Sequence, residues 1–560
     1  MRVLGVNALF HDPAAALVVD GHTVAAAEEE RFSRRKHGKR PVPFAAWELP
    51  EQAARWCLAQ AGLRPDDLDA VAYSFDPSLA RPADEMGLWD PWDWLRLEYA
   101  RRAPAFLATA LPGLDPEKVV HVPHHVAHAA SAGLAAPAHA TGRDRANGRD
   151  DANGRDRAVL VLDGRGESAS HLAGVYRDGR LEVLAAQPLP HSLGLLYEEA
   201  TEHLGFTRAS DEYKVMALAS YGQPRHLALF REAVRSTPDG GFTVEPIAWD
   251  ALAKRRDPQA DWTADHADLA ASLQRRLEEV LLDLVRWLHA ASGGAPSLAL
   301  AGGVALNCVA NARIAREGPF ADVWVQPAAG DAGTALGAAL HVTAAGGVAP
   351  EPMPGADLGR GFSDDEIATT LRRARIPYAR PPSVAEMAAE VLAADGVVAW
   401  FQGRAEYGPR ALGHRSLLAH PGVAANTERL NEVKGREQFR PVAPMVLAER
   451  AGEIFDGVQP SPYMLFTHRV HDEWRDRIPA VVHVDGTARI QTVDRRTEPL
   501  TAALLDAFDR RTGLPLVVNT SLNTAGRPMV DSPTDALELF GSAPVDLLVL
   551  GPFTVERGGR

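Results

Sequence analysis

The chain opens with short apolar runs separated by polar turns. Residues 3–7 are typical of a strand, and two further β-capable runs between 14 and 27 flank Asp20-Gly21. An Asp-Gly pair between two such runs predicts a β-hairpin. The charged run that follows, at 28–38, is typical of a solvated helix end.

A strand followed by a glycine-rich turn recurs three times further along the chain. The apolar runs lie at 158–162, 297–301 and 323–325, and runs of small residues follow the turns. This alternation predicts an α/β protein in which backbone amides at helix N-termini can bind phosphate. For each turn taken alone, a plain strand–helix corner is the alternative.

Three of the strand ends carry an acidic residue. Asp12, Asp163 and Asp331 each stand in the turn after a predicted strand. Acidic strand-end turns that face a common cleft are typical of actin-like ATPases and sugar kinases.

Four histidines lie within the eight residues 121–128. His124 and His128 are four residues apart, so a helix would place both imidazoles on one face. Imidazole is the commonest neutral metal ligand, and the small residues after 128 suit a closely packed helix that begins near Pro123. The pair His124 and His128 has two interpretations. It is either half of a metal site or two core or surface histidines.

Composition changes at two places divide the chain. Residues 142–157 repeat a six-residue unit with no apolar side chain larger than alanine, which predicts a flexible surface insertion. A Pro- and Gly-rich stretch at 349–355 predicts a linker, and Ser363 followed by acids predicts the start of a helix. We therefore expect two domains, at 1–350 and 355–560.

The second domain is basic where the rest of the chain is acidic. Between residues 403 and 441 there are seven Lys or Arg against four Glu. Cations in Gly-Pro turns suggest fixed positions for oxyanions, with a basic surface patch as the alternative. A strand at 517–521 ends in a cluster of amides and hydroxyls suited to a nucleobase, a ribose or a urea-like group, and Arg489 is a further candidate oxyanion ligand.

The bulk composition excludes several classes of protein. The 560 residues carry a net charge of −14, which disfavours a broad nucleic-acid-binding surface. The two cysteines, Cys57 and Cys308, exclude a disulfide framework and a thiolate zinc cluster and suit a reducing compartment. The N-terminus runs directly into a strand with no signal-peptide core, so we expect a cytoplasmic enzyme.

Taken together and in this order, the motifs resemble those of the O-carbamoyltransferases of antibiotic and nodulation-factor biosynthesis, most closely the aminoglycoside (nebramycin-forming) type. The resemblance spans the chain apart from the insertion at 142–157. The motifs that carry it are EEERF at 28–32, HHxxH at 124–128, DGxGE at 163–167, GGVxxN at 302–307, GPRALGxRS at 408–416 and NTS at 519–521.

For the first domain, the resemblance implies an actin-like (ASKHA) fold similar to that of the transferase that puts threonylcarbamoyl on tRNA. It implies an iron or other divalent ion held by His124, His128, Asp163 and Asp331. It places an adenylate at Gly164, Lys214, Gly302, Gly303 and Asn307. His11 matches the base for the acceptor hydroxyl, with a turn histidine as the alternative, and Lys36 matches a phosphate-binding catalytic position.

For the second domain, the resemblance implies an α/β fold like that of threonylcarbamoyl-adenylate synthase (YrdC-like). This domain would condense carbamoyl phosphate with ATP to give carbamoyl adenylate and pyrophosphate, with Mg²⁺ on the ATP phosphates. Joining two polyanions requires several fixed cations. The positions that match binding residues are Arg410, Lys434, Arg440, Arg489 and Asn519.

The acceptor is expected to be a small hydroxylated natural product. Where the aminoglycoside enzyme carries an acidic segment, this chain has a shorter apolar loop, Ala8-Leu9-Phe10. Together with the Trp-rich segment at 89–94, that loop favours a sugar or polyketide hydroxyl, and no nucleic-acid or membrane partner is expected.

Other functions remain as alternatives. A threonylcarbamoyl transferase acting on tRNA, an actin-like kinase and a non-catalytic nucleotide sensor each share part of the pattern. The sequence leaves open whether the chain forms a homodimer.

Overall fold

A computed structural model describes residues 1–38, 48–138, 156–457, 460–524 and 526–557. The chain divides into two compact units, Met1–Gly355 and Ala356–Arg560. Apart from its last two residues, the repetitive stretch at 142–157 lies outside the described residues.

The first half of the N-terminal unit is built on a five-stranded sheet. The predicted hairpin is confirmed, because Asp20 and Gly21 both adopt positive φ between two antiparallel strands. The strands are β1 (Arg2–Asn7), β2 (Ala14–Val19), β3 (His22–Glu28), β4 (Ala70–Tyr73) and β5 (Val119–His121). The helices are α1 (Glu30–Ser33), α2 (Glu51–Gln60), α3 (Asp93–Ala110) and α4 (His124–Gly133).

The second half contains a second five-stranded sheet and a helical insertion. Its sheet strands are β6 (Arg157–Leu162), β7 (Ala169–Arg177), β8 (Arg180–Pro188), β11 (Ser297–Ala301) and β12 (Asp322–Val325), and a small ribbon consists of β9 (Val234–Ser236) and β10 (Phe242–Val244). The helices are α5 (Leu193–His203), α6 (Glu212–Ala219), α7 (Leu227–Ala233), α8 (Trp249–Leu252), α9 (Ala264–Ala291), α10 (Cys308–Glu317) and α11 (Ala332–Ala345).

The two sheets share one topology. The first has the order β3-β2-β1-β4-β5 and the second has the order β8-β7-β6-β11-β12. In each, the first three strands form an antiparallel meander and the last two run parallel to the first. This duplicated arrangement is the actin-like fold, and the prediction from the sequence is confirmed.

The last helices of the two halves, α4 and α11, pack against each other. Their contact is made by small residues, and Gly337 lies so close to α4 that an added Cβ would stand 1.8 Å from the carbonyl oxygen of Ala127. Only glycine fits there, because a backbone atom cannot move aside as a side chain can. The two helices therefore meet backbone to backbone.

The C-terminal unit is an α/β unit with a mixed seven-stranded sheet, ordered β18-β15-β19-β14-β13-β20-β21. Ser363 caps its first helix, as the sequence predicts. The strands are β13 (Val398–Phe401), β14 (Arg415–Ala419), β15 (Ala443–Leu447), β18 (Gln491–Val493), β19 (Leu516–Ser521), β20 (Leu547–Leu550) and β21 (Phe553–Glu556), with a ribbon of β16 (Thr467–Arg469) and β17 (Thr487–Arg489). The helices are α12 (Asp364–Ala374), α13 (Val384–Ala393), α14 (Ala425–Val433), α15 (Asp472–Arg475), α16 (Pro499–Thr512) and α17 (Pro533–Ser542).

Within the described ranges, no helix has both the length and the apolar composition needed to cross a bilayer. Cys57 and Cys308 are both buried and are not joined in a disulfide.

Candidate active site

His124 and His128 lie one turn apart at the start of α4, and both imidazoles are buried. Nδ1 of His124 lies 3.2 Å from the carbonyl oxygen of Ser74. A carbonyl oxygen only accepts hydrogen bonds, so Nδ1 carries the proton and donates it. Nε2 of His124 is thereby directed to Asp163, whose Oδ2 lies 3.3 Å away.

Two buried carboxylates complete this cluster. Asp163 follows β6, and its Oδ1 accepts a hydrogen bond of 2.9 Å from the amide of Gly303. Asp331 immediately precedes α11, and its Oδ1 lies 3.6 Å from Nε2 of His124 and 3.5 Å from Nε2 of His128. The structure therefore brings together all four predicted metal ligands.

The cluster fits a divalent cation. One donor atom from each of the four side chains lies within 4.8 Å of the others. Within the described parts of the chain, the Asp331 carboxylate oxygens and the His128 ring nitrogens have no hydrogen-bond partner. Buried polar atoms without partners are costly, and a metal ion would satisfy them. Two imidazoles and two carboxylates suit Fe²⁺ and similar ions.

The charges in the cluster shift its pKa values. Burial by itself would lower the pKa of His124, but the hydrogen bond with Asp163 and the charge of Asp331 raise it to about 9. Burial by itself would raise the pKa of Asp163, but His124 and His128 hold it well below its ordinary value. A bound cation would compete with the proton for Nε2 of His124.

Glu167 holds the start of α4 in place. Its Oε1 accepts hydrogen bonds from the backbone amides of His124, at 2.8 Å, and Asp76, at 2.9 Å. It satisfies an amide at the helix N-terminus and fixes the position of the first ligand. Glu167 ends the DGxGE motif, but the sequence did not predict this role for it; its position four residues after Asp163 is the signal for it.

His11 faces the same cluster from the turn after β1. Its Nε2 lies 3.7 Å from Oδ2 of Asp331, and its Nδ1 lies 3.0 Å from Oδ2 of Asp12. The other oxygen of Asp12 lies 2.8 Å from Nδ1 of His37. Asp12 therefore bridges two imidazoles, whereas Asp163 and Asp331 belong with His124 and His128 to the cluster of candidate metal ligands. The sequence does not predict this contact of His37, which lies in the charged run without a motif of its own.

The turn itself is held by a side chain. Asn7 donates hydrogen bonds to the carbonyl oxygens of His11, at 2.9 Å, and Asp12, at 3.0 Å. Burial opposes a charge on His11, but Asp331 and Asp12 raise its pKa well above the ordinary value. Burial likewise opposes a charge on Asp12, but His37 and His11 lower its pKa well below the ordinary value.

The glycines expected at the adenylate lie close to Asp163. Gly302 adopts φ +89°, and a Cβ there would stand 2.1 Å from the carbonyl oxygen of Leu162, so the turn requires glycine. A Cβ on Gly164 would stand 2.9 Å from Oε1 of Glu198. Gly164, Gly302 and Gly303 therefore line one edge of the cluster.

The other predicted contacts of the N-terminal unit are partly engaged elsewhere. Asn307 caps α10 by accepting from the amide of Ala310 at 3.0 Å, and it donates to Gln274 at 2.8 Å. Nζ of Lys214 lies 3.1 Å from Oδ2 of Asp211. Lys36 is half-buried and directly precedes His37, and its charge opposes protonation of that imidazole.

In the C-terminal unit, two predicted residues lie beside the polar end of β19. The amide of Asn519 donates to Oε1 of Gln491, at 2.8 Å, and to the carbonyl oxygen of Ala411, at 3.1 Å, next to Arg410. Nζ of Lys434 donates to the hydroxyl of Ser521 at 2.9 Å. Gln491 is a further candidate site residue, and the sequence did not predict its contact with Asn519.

The predicted arginines Arg410, Arg440 and Arg489 are all half-buried. Arg489 lies two residues before Gln491 on the neighbouring strand. The backbone of Arg440 accepts a hydrogen bond of 3.0 Å from Asn431. Arg489 therefore lies beside the strand of Gln491, and the backbone of Arg440 is bound to α14, the helix that Lys434 follows.

Arg415, in the same basic motif as Arg410, differs from it in burial. It is fully buried and donates to the carbonyl oxygens of Gln402 and Arg360, each at 2.8 Å. Glu406 accepts from the backbone amides of Leu412, His414 and Arg415, and so supports the same loop. Arg415 is one of the seven Lys and Arg residues between 403 and 441, and it supports the backbone of this loop.

Two family models cover most of the chain. The model described as Carbamoyltransferase N-terminus matches residues 2–81 and 102–340, and the one described as Carbamoyltransferase C-terminus matches 389–557. The chain belongs to the carbamoyltransferase family and is an enzyme of that class. The resemblance inferred from the motifs is confirmed.

Similar proteins come from rhizobia and a cyanobacterium. Nodulation protein NolNO of Sinorhizobium fredii is 38% identical over 98% of this chain and 80% of its own length. An uncharacterized protein of Synechocystis is 36% identical over 99% of this chain and 97% of its own. Nodulation protein U of Bradyrhizobium diazoefficiens is 31% identical over 94% of this chain and 93% of its own.

Proposed function

We propose that this carbamoyltransferase is an ATP-dependent O-carbamoyltransferase. The C-terminal unit would make carbamoyl adenylate from carbamoyl phosphate and ATP. The N-terminal unit would transfer the carbamoyl group to a hydroxyl of a small natural product, such as an antibiotic precursor, and release AMP.

The first reaction balances when one water is consumed. Water cleaves the phosphate from carbamoyl phosphate, which leaves carbamate and inorganic phosphate. A carbamate oxygen then attacks the α-phosphorus of ATP, so that a C–O–P linkage forms and pyrophosphate leaves. Arg410, Lys434, Arg440 and Arg489 would screen the charges of the two polyanions, with Mg²⁺ on the ATP phosphates. The amide of Asn519 would orient the planar carbamoyl group.

The second reaction requires a base and polarisation of the carbamoyl carbonyl. Against the effect of burial, Asp331 and Asp12 raise the pKa of His11, and a divalent ion bound at Asp331 would offset the charge of Asp331. His11 would then accept the hydroxyl proton at Nε2, while Asp12 holds the proton on Nδ1. The alcohol oxygen then attacks the carbamoyl carbon, and AMP leaves. Held by His124, His128, Asp163 and Asp331, Fe²⁺ or another divalent ion would supply Lewis acidity.

The adenylate would lie at the edge of the same cluster. The backbone at Gly164, Gly302 and Gly303 leaves room for close approach of a nucleotide, and Lys214 and Lys36 would supply positive charge. Asn307 would contribute its remaining hydrogen-bonding capacity while it caps α10.

The observation that carries the proposal is the position of His11 Nε2, 3.7 Å from Asp331 within a cluster of four candidate metal ligands. This arrangement supports a base beside a Lewis-acid site in a family that transfers carbamoyl groups.

The test is product analysis with carbamoyl phosphate, ATP and candidate hydroxylated acceptors. We expect pyrophosphate, inorganic phosphate and AMP in equal amounts, and Arg410→Ala to abolish pyrophosphate release. The matched control is Arg496→Ala, because the Arg496 side chain is 86% exposed and pairs only locally with Asp494. Accumulation of ADP would instead identify a kinase, and a strict requirement for tRNA would identify a tRNA-modifying transferase.

A further inference from the structure

Residues 82–101 stand apart from the rest of the N-terminal unit in one respect. They lie between the two stretches, 2–81 and 102–340, that the carbamoyltransferase N-terminal model matches. His11 and the four candidate metal ligands all lie within the matched stretches. The candidate catalytic residues therefore lie in matched stretches, whereas this segment lies outside them.

The segment is fastened to the loop that holds Asp163. Arg165, two residues after Asp163, binds Asp90 at 2.9 Å and Asp93 at 2.7 Å. Arg96 binds the same two carboxylates at 2.8 Å and 3.0 Å. The four side chains are 8–18% exposed, so these ion pairs are only weakly screened by water.

The same ion pairs lie against the candidate active site. The guanidinium of Arg165 lies 5.2 Å from the ring centroid of Phe10, and that of Arg96 lies 5.1 Å from it. The Phe10 ring packs edge-on against His124, with 5.6 Å between the centroids. One aromatic ring therefore separates the fastened segment from a candidate metal ligand, and Phe10 directly precedes His11.

Local hydrogen bonds fix the backbone of the segment. The amide of Ala83 donates to Asp93 at 3.1 Å, and the amide of Trp92 donates to Asp90 at 3.0 Å. The amide of Leu88 donates to the carbonyl oxygen of Ala83 at 2.8 Å. The two aspartates thus hold both the segment and the arginines.

Two indoles of this fixed segment face solvent. Trp89 is 91% exposed and Trp94 is 66% exposed, and each directly neighbours one of the anchoring aspartates. Burying a side chain of this size is stabilising, and these two largely forgo that contribution. Tryptophan is a common anchor in binding sites because it is large, rigid and amphipathic.

We propose that residues 82–101 form the acceptor-recognition element, in which Trp89 and Trp94 stack on a neutral sugar ring of the acceptor. This inference rests on the proposed transfer to a hydroxyl. Asp90 directly follows Trp89 and Asp93 directly precedes Trp94 in the chain, and both aspartates bind Arg165. The guanidinium of Arg165 lies 5.2 Å from the ring centroid of Phe10, the residue before His11. A pyranose ring has a flat face of C–H groups that packs on an indole, and its edge presents hydroxyls for carbamoylation.

The charges favour a neutral acceptor over a polycation. Recognition of a polycationic amino sugar requires free carboxylates, whereas Asp90 and Asp93, the two that bind the arginines beside Phe10, are already neutralised by Arg96 and Arg165. Stacking on the indoles does not need a charged ligand.

The test uses the full-length protein loaded with divalent metal, together with ATP and carbamoyl phosphate. Two panels are compared, one of neutral methyl pyranosides and β-linked disaccharides and one of aminoglycosides, with carbamoylated products detected by mass spectrometry. Release of pyrophosphate from carbamoyl phosphate and ATP in the absence of any acceptor tests the proposed function separately.

For a neutral glycoside that is turned over, we expect Trp89→Ala and Trp94→Ala to raise the acceptor KM by about tenfold or more. Tenfold corresponds to about 1.4 kcal/mol, the size of one lost stacking contact. The kcat at saturating acceptor should change less than about threefold, and Trp89→Phe should restore most of the affinity. Tyr378→Ala, at an exposed aromatic in the other unit, is the control and should leave the acceptor KM unchanged.

An unchanged acceptor KM in both alanine variants would overturn the inference. The inference would also be overturned if only aminoglycosides were carbamoylated, or if no neutral glycoside were. A change in oligomeric state of the alanine variants without a change in acceptor KM would overturn it as well. A protein that releases no pyrophosphate from carbamoyl phosphate and ATP would instead refute the proposed function.

Discussion

Nε2 of His11 lies 3.7 Å from Oδ2 of Asp331, although the two residues are 320 positions apart. The contact joins the turn after the first strand of one half of the N-terminal unit to the start of the last helix of the other half. A candidate metal ligand and the proposed base therefore lie side by side.

The pairing of His11 with Asp12 predicts the effect of their loss on the transfer step. Asp12→Asn would no longer hold the proton on Nδ1 of His11, and His11→Ala would remove the base. We expect each variant to slow carbamoyl transfer to the acceptor by about 10²–10⁴-fold. Pyrophosphate release from carbamoyl phosphate and ATP should continue, which single-turnover assays with both readouts would measure. Equal loss of both reactions would contradict the assignment.

The four-residue cluster predicts a divalent ion bound at this site. Asp331→Asn retains the volume of the side chain but removes the charge, so we expect binding of Mn²⁺ or Fe²⁺ to weaken by at least about 100-fold. Calorimetric titration and the metal-dependent rise in Tm would measure the effect. His22→Ala is the control, because His22 is exposed and pairs with Glu351 at the surface. Undiminished binding in the Asp331 variant would exclude the cluster as the site.

The hydrogen bonds of Glu167 predict that its loss weakens metal binding, although Glu167 is not one of the four candidate ligands. Glu167→Ala would leave two amides without their acceptor, at a cost of about 1–3 kcal/mol each, and would release the start of α4. We expect a lower Tm and metal binding weakened by about 10–100-fold. Glu167→Gln retains an accepting oxygen and should lie close to the wild type in both measurements.

The contrast between Arg410 and Arg415 predicts two different phenotypes within one motif. Arg415→Ala would leave several buried carbonyl oxygens without a donor, and we expect the C-terminal unit to lose about 3 kcal/mol or more of stability. Arg410→Ala should retain the wild-type melting profile but release no pyrophosphate. Calorimetry and product analysis on the same preparations would separate the two effects, and equal melting profiles would refute the structural role of Arg415.

Glu29 predicts a pH dependence of stability. Burial raises its pKa to about 7, although it accepts hydrogen bonds from the amides of Gln52 and Ala53 at the start of α2. Because the folded pKa lies above the unfolded value, Glu29 binds more protons when folded. Its contribution to stability therefore falls as the pH rises from about 4.5 to 7, by up to about 1.4 kcal/mol per unit. The Tm of Glu29→Gln relative to the Tm of the wild type should therefore rise over this pH range. A difference in Tm that stays constant with pH would contradict the assignment.

The parts of the site that lie in short motifs could be predicted from the sequence. His124 and His128 follow from helical spacing, and the strand-end positions of Asp163 and Asp331 follow from the alternation of strands and turns. The duplicated topology was reached only through the resemblance, because the helical insertion between β8 and β11 hides the repeat. His37 could not be predicted as a partner of Asp12, since their contact depends on how the charged run folds back over the first turn. Burial alone distinguishes Arg415 from Arg410, and the charge pattern of a loop does not reveal burial.

The close contact at Gly337 has a consequence for how this enzyme could evolve. α4 provides both histidines and α11 follows Asp331, so the separation of the two helical backbones sets the distance between nitrogen and oxygen donors. That separation is already at its minimum, and a bulkier residue at Gly337 would push the helices apart. A change in ion preference would therefore have to come from exchanging the donor side chains themselves.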